Sequence, residues 1–202
     1  MGAFDRDRTV SNITVITEPT IEPVTLAEVK SVLRISHSDD DTMLAGYIKS
    51  ARRWAENYLD LFIMTQTVEF TVDMWPGLEF GLGVWPIQSV TSVKYDDTSS
   101  PITEQTLAEA TDYYADVISG CGRIKAVDTW PTVTERPNAV KVRLTVGYED
   151  TAASPIDLRD GVPEEIKTGI KLYIRMLYES DPCSELAARK VMHHLQENCG
   201  GL

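Results

Sequence analysis

Val140, Val142, Leu144 and Val146 alternate without a break with Lys141, Arg143 and Thr145. Successive side chains of a strand point to opposite faces, so an extended backbone gathers these aliphatics on one side. A helix would scatter them around its axis. The run therefore predicts a half-buried strand, and its polar alternate face predicts an antiparallel sheet. Val68, Phe70, Val72 and Met74 repeat the same period, and Val93 and Tyr95 mark another strand. Tyr113–Val117 and Arg123–Val127 flank Gly120-Cys121-Gly122, which reads as a turn between two strands. Three Trp-Pro pairs, at 75–76, 85–86 and 130–131, punctuate this region. Proline removes an amide donor and restricts the residue before it, so each pair marks an edge or a turn.

Both flanks of the β-rich region 65–148 carry helical periodicity. Thr25-Leu26-Ala27-Glu28 is a capping box, in which Thr25 bonds a free amide and Glu28 reaches back. It opens a helix over 25–35, with Leu26, Val29, Val32 and Leu33 at helical spacing. Asp39, Asp40 and Asp41 open a second helix, 40–60, where carboxylates suit the positive end of the helix dipole. Leu44, Ile48, Ala51, Ala55 and Tyr58 form its apolar stripe, with Tyr47 and Trp54 beside it. Residues 149–161 read as a polar loop. Pro163, Glu164 and Glu165 then open a helix over 163–180 with Ile166, Ile170, Tyr173, Ile174 and Leu177 on one face. Asp181-Pro182 ends it. A last helix runs from about Ser184 to Asn198 and stops at Gly200-Gly201.

The expected fold is α+β: a bundle made of the N- and C-terminal helices, with an antiparallel β-rich region inserted between them. Residues 1–22 read as a flexible arm, although the run Ile13–Ile16 is able to pair with a sheet edge. Residues 23–181 are the expected body, and 182–202 a C-terminal helix and tail.

At 202 residues, a chain buries roughly 70% of the surface its unfolded form exposes and needs no disulfide or metal to fold. The net charge is −12, with Lys and Arg spread along the chain. Tight nucleic-acid binding depends on a basic patch that neutralises phosphates, so this composition argues against it. It leaves room for a surface past which DNA slides. Cys121, Cys183 and Cys199 form no CxxC pair, which suits reduced thiols in a cytoplasm. No stretch approaches the roughly 20 apolar residues of a membrane span. Met1–Val10 carries charges of both signs and no apolar core, so no signal peptide is expected.

Few residues suggest chemistry. The Asp39–Asp41 run lacks the glycine and distal glutamate of a calcium loop, so capping is the better reading. His193 and His194 are neighbours on a helix and point about 100° apart, so they do not converge with Cys199 on one metal ion. No nucleophile elbow, Walker loop, zinc-protease helix or dinucleotide fingerprint is present. No catalytic, cofactor or metal residue is assigned, and no cofactor is expected. The candidates are for partner contact. Trp75, Trp85 and Trp130, on turns, can act as aromatic anchors. Lys167, Lys171 and Arg175 form one basic stripe, whose stronger reading is a solvated face knitted by Glu164 and Glu179. Leu186, Val191 and Leu195 are the apolar candidates on the last helix.

Several segments in order resemble the phage head–tail connector (adaptor, head-completion) family. They are Glu22-Pro23-Val24-Thr25-Leu26-Ala27-Glu28-Val29-Lys30 with Leu33-Arg34-Ile35, then Asp40-Asp41-Thr42-Met43-Leu44 with Ile48-Lys49-Ser50-Ala51. Pro86-Ile87-Gln88-Ser89-Val90-Thr91-Ser92-Val93-Lys94-Tyr95 and Pro137-Asn138-Ala139-Val140-Lys141-Val142 leading to Gly147-Tyr148 follow. Val162-Pro163-Glu164-Glu165-Ile166-Lys167 with Tyr178-Glu179 closes the series. The matches cover about residues 20–180; the arm before them and the tail after Asp181 carry none.

The resemblance implies a structural virion protein without an active site. Such proteins form a ring, usually of twelve subunits, between the portal protein and a tail-completion or stopper protein. The ring extends the channel through which genomic DNA passes without sequence-specific binding. The expected location is the neck of the virion, after assembly in the host cytoplasm, with no membrane partner. Two other readings stand beside this one: a tail-completion or stopper protein of the same neck, and a small cytoplasmic enzyme with an acidic cleft.

Overall fold

In the computed structural model of the chain, which describes residues 11–118, 122–148 and 159–199, the alternating run at 140–146 lies at the centre of a sheet. In chain order the elements are β1 (Ser11–Thr17), α1 (Leu26–Leu33), α2 (Asp41–Leu59), β2 (Gln66–Val72), β3 (Glu79–Gly81) and β4 (Ile87–Asp96). There follow β5 (Glu104–Leu107), β6 (Tyr113–Asp116), β7 (Arg123–Ala126), β8 (Val140–Val146), α3 (Glu164–Glu179) and α4 (Pro182–Cys199). The fold is α+β, as expected. It divides into a β unit, Met1–Glu18 with Gln66–Val146, and a helical unit, Pro19–Thr65 with Gly147–Leu202.

The β unit holds a five-stranded antiparallel sheet in the order β1-β2-β8-β4-β5. Register puts Phe70, Val142 and Val93 in one row across three strands, with Val68 opposite Leu144 and Val72 opposite Val140. All of these are buried. The alternate face is polar: Glu69 pairs with Arg143 at 2.8 Å, and Glu104 takes both Lys94 (2.8 Å) and Lys141 (2.7 Å). A second sheet, β3-β7-β6, contributes buried Phe80, Ile124 and Tyr113. The Trp-Pro pairs all fall outside strands, as the lost amide requires.

The expected flexible arm needs correction over residues 11–17. This segment is β1, paired with β2 through Ile13 opposite Phe70 and Val15 opposite Val68. Its β-branched residues prolong the apolar face of β2, and its backbone satisfies amides and carbonyls that β2 would otherwise leave open. Residues 1–10, the turn residues 119–121 and most of the expected loop 149–161 lie outside the described residues.

In the helical unit, α3 packs on α4 and on α2, and α1 packs on both α2 and α3. Leu44, Ile48, Ala51 and Ala55 of α2 and Ile166, Ile170 and Ile174 of α3 are buried. Gly169 on α3 leaves room for Met192 of α4, because an added Cβ there would collide with the thioether end. The residues expected as a separate C-terminal helix and tail therefore supply core, with Ala188 and Met192 fully covered.

Helix ends follow local chemistry. Thr25 caps α1, accepting from the Glu28 amide at 3.2 Å, while the Glu28 carboxylate accepts from the Thr25 amide at 2.7 Å. Asp40 is the N-cap of α2 but makes no side-chain capping bond. It accepts from the Tyr178 hydroxyl instead, at 2.8 Å, and Asp41 takes Lys30 at 2.7 Å. The expected capping by this run is thus electrostatic, and its oxygens serve to tie helices together. Gly46 lies on the exposed face of α2 with nothing within reach of an added methyl. Gly46→Ala is expected to stabilise the protein by about 0.5–1 kcal/mol, measured by urea titration, because alanine narrows the unfolded ensemble and suits a helix interior.

Candidate interaction surfaces

The residues singled out for partner contact meet different fates. Trp75 and Trp130 are half-buried and stack on each other, with ring centroids 4.3 Å apart and planes 10° from parallel. The Trp75 indole donates to the Pro131 carbonyl at 2.9 Å, and the Trp130 indole donates to the Gly77 carbonyl at 2.7 Å. Each indole therefore bonds to the loop that carries the other Trp-Pro pair. Phe80 lies against both rings. The two tryptophans are a staple between loops rather than free anchors. Met74 and Leu78, beside them in sequence, are half-exposed, and the Leu78 carbonyl accepts from Ala126 beside exposed Val127. Trp85 is half-buried.

The basic stripe has the Glu164 and Glu179 pairs of its stronger reading, although Lys167 is buried where that reading had a solvated face. Lys167 is 7% exposed and bonds Glu164 at 2.8 Å; Lys171 bonds Glu28 at 2.9 Å; Arg175 bonds Glu179 at 2.7 Å. None is a free cation for an acidic partner or DNA. Lys171 reaches from α3 to the capping box of α1, so it braces the helical unit. On α4, Leu186 is exposed while Val191 and Leu195 are half-buried. His193 and His194 are exposed side by side on α4. Among the described residues no group of His, Cys, Asp or Glu gathers as metal ligands would.

The same bracing accounts for the residues that carried the family resemblance. Glu22 binds Arg52, Thr25 and Glu28 form the capping box, Lys30 binds Asp41, and Asp40 binds Tyr178. These motif residues brace the helical unit.

Glu28 and Glu104 are among the carboxylates held well below their ordinary values, as is Asp97, which accepts from Ser99, Thr103 and Gln105. Glu28 feels desolvation that raises its pKa, but bonds from the Thr25 amide, Lys171 and the Thr25 hydroxyl outweigh it and hold the group at about 2. Glu104 is also held at about 2, chiefly by Lys141 and Lys94. A carboxylate with a depressed folded pKa binds fewer protons when folded. Its stabilisation is present above the unfolded value of 4.5 and is lost as pH falls towards 2. Urea midpoints should therefore fall between about pH 4.5 and 2. Glu28→Gln combined with Glu104→Gln should flatten that fall; an unchanged slope would assign it to other carboxylates.

Exposed aliphatics unforeseen as contacts lie in the β unit. Ile13, Val15 and Ile16 of β1 are 41%, 43% and 45% exposed. Ile13, Phe70, Val72, Pro76 and Leu82 line a groove of about 300 Å³ beside this edge. Tyr114 on β6 is 56% exposed and Ile118, just beyond β6, is 92% exposed. The signal in β1 was visible as an uncharged β-branched run. Nothing local distinguishes Ile118 from a core isoleucine.

Residues 23–75 match the family model described as phage gp6-like head–tail connector protein. The fold resembles that of a chain in the neck of an empty GTA particle computed with C6 symmetry. The TM-score is 0.68 at 17% identity, covering 83% of this chain and 84% of that one. A chain in the neck of a native GTA particle computed with C12 symmetry gives 0.67 at 16% identity, covering 90% and 94%. A chain in the virion of a native gene transfer agent particle gives 0.64 at 17% identity. No curated protein matches by sequence. The resemblance to head–tail connectors is thus shown by sequence over residues 23–75 and accompanied by a shared fold over most of the chain.

Proposed function

We propose that this chain is a head–tail connector subunit, one member of a homo-oligomeric ring that sits in the neck between portal and tail and continues the DNA channel. One observation carries the reading: the connector match at residues 23–75 lies inside a fold shared with neck chains over 83–90% of the molecule. The C6 and C12 symmetries of those necks support a cyclic assembly. The role is structural, and the motif residues fit it because they brace helices instead of composing a reactive cluster.

The net charge of −12 suits a channel subunit. Repeated around a ring, negative charge repels DNA and limits sticking as the genome passes. Mass determination by light scattering, for the chain alone and mixed with the portal protein of the same particle, tests the proposal. A ring, or a stoichiometric complex with portal, is expected. A monomer that ignores portal but binds the tail-side protein would overturn it in favour of a stopper or tail-completion role.

A further inference from the structure

We propose that the ring is held by a contact between β units, in which the Val117-Ile118 corner of one copy seats in the groove beside β1 of the next. This rests on the ring reading above.

The groove is half of the argument. β1 is an edge of the five-stranded sheet, and Ser11–Thr17 contains neither charge nor proline. Natural edges are usually guarded by such residues or kept short. The opposite edge of the sheet is guarded: β5 has four residues and carries Glu104 in its two ion pairs. β1 has one bulge, at Ile16, but still presents Ile13 and Val15 on the apolar face, next to the groove floor of Phe70, Val72 and Leu82. An unguarded apolar edge of this kind is an aggregation hazard unless assembly covers it.

The corner is the other half. Ile118 is 92% exposed, the most exposed of the large aliphatics described. Its amide donates to the Asp116 carboxylate at 3.2 Å, which fixes the backbone as it leaves β6. Asp116 is itself neutralised by Arg123 at 3.2 Å. The groove and the corner lie at opposite edges of the three-stranded sheet: Gly81 of edge strand β3 lines the groove, and the other edge strand, β6, leads to Ile118.

That arrangement favours a second copy as the occupant. A cyclic ring of one subunit requires two different patches on each copy, because its interfaces are heterologous. Charge points the same way. Copies each carrying −12 repel at long range, and two surfaces without charge meet without bringing like charges together. The groove-lining residues and Val117-Ile118 carry none.

Cysteine cross-linking tests the pairing in the full-length chain. Ile13→Cys and Ile118→Cys are introduced together after Cys121→Ser, Cys183→Ser and Cys199→Ser, and the assembled protein is oxidised with copper phenanthroline. A ladder of covalent multimers is expected, with each single-cysteine chain stopping at dimer or below. Ile118→Asp should separately reduce the assembled mass to monomer, while its thermal midpoint matches that of the parent at concentrations too low for assembly, since that side chain is not buried in the monomer. Rings that form without a ladder would overturn the contact and leave the ring reading standing. A parent chain that stays monomeric at every concentration and with portal would overturn both.

Discussion

Arg52→Ala is expected to lower the free energy of unfolding by about 3–5 kcal/mol, the largest loss foreseen for a side chain in the helical unit. The Arg52 side chain is 3% exposed, and its guanidinium bonds Glu22 at 2.8 Å and Glu56 at 2.7 Å. Glu56 also accepts from the Ile63 amide at 3.1 Å, beyond the end of α2. Removing the cation leaves two carboxylates facing each other in a mostly covered site. The loss comes from those uncompensated charges more than from the attraction itself. A control separates burial from charge pairing. Arg175 and Glu179 form an exposed i,i+4 pair on α3, where solvent screens the attraction, and Arg175→Ala should leave the urea midpoint almost unmoved. Urea unfolding of both variants at pH 7 checks the contrast; equal losses would show that the Arg52 site is open to water.

Gly147→Ala should be as damaging, through the backbone. Gly147 has φ +109°, a conformation that L residues rarely adopt. A methyl there would also run into the Met64 carbonyl group and approach the Thr65 nitrogen at 2.7 Å. These are backbone atoms that cannot swing aside, and Tyr148 follows with its amide bonded to the Ile63 carbonyl at 3.0 Å. Strain and overpacking together are expected to cost about 3 kcal/mol or more. Gly83→Ala isolates the dihedral contribution. Its φ is +64° with open space around it, so it should cost only about 1–2 kcal/mol. Thermal midpoints in the order Gly46→Ala, parent, Gly83→Ala, Gly147→Ala would confirm the reasoning. A Gly147→Ala midpoint level with Gly83→Ala would show that the segment around Met64 yields.

The residues that carried the resemblance have plain structural duties in this chain. Gly147 takes a turn and a close approach that only glycine tolerates. Glu22, Thr25, Glu28, Lys30, Asp40 and Asp41 each tie a helix end or a neighbouring helix.

What the sequence determined by itself was local. The period of two in Val140–Val146, the helical stripe of Leu44, Ile48, Ala51 and Ala55, and the Thr25–Glu28 capping box are properties of a few adjacent residues. They specify the kind and order of elements before any tertiary contact forms. The tertiary structure decided which distant residues meet. Lys171 finds Glu28 across 143 positions, and Trp75 finds the Pro131 carbonyl across 56. Residues 11–17 became a strand because β2 offered them an open edge in register. Periodicity tells a residue which way to face, but only chain topology supplies the partner. For that reason Lys171, read from spacing as part of a solvated stripe, braces α3 to α1, and Trp75 and Trp130, read as contacts, form a staple.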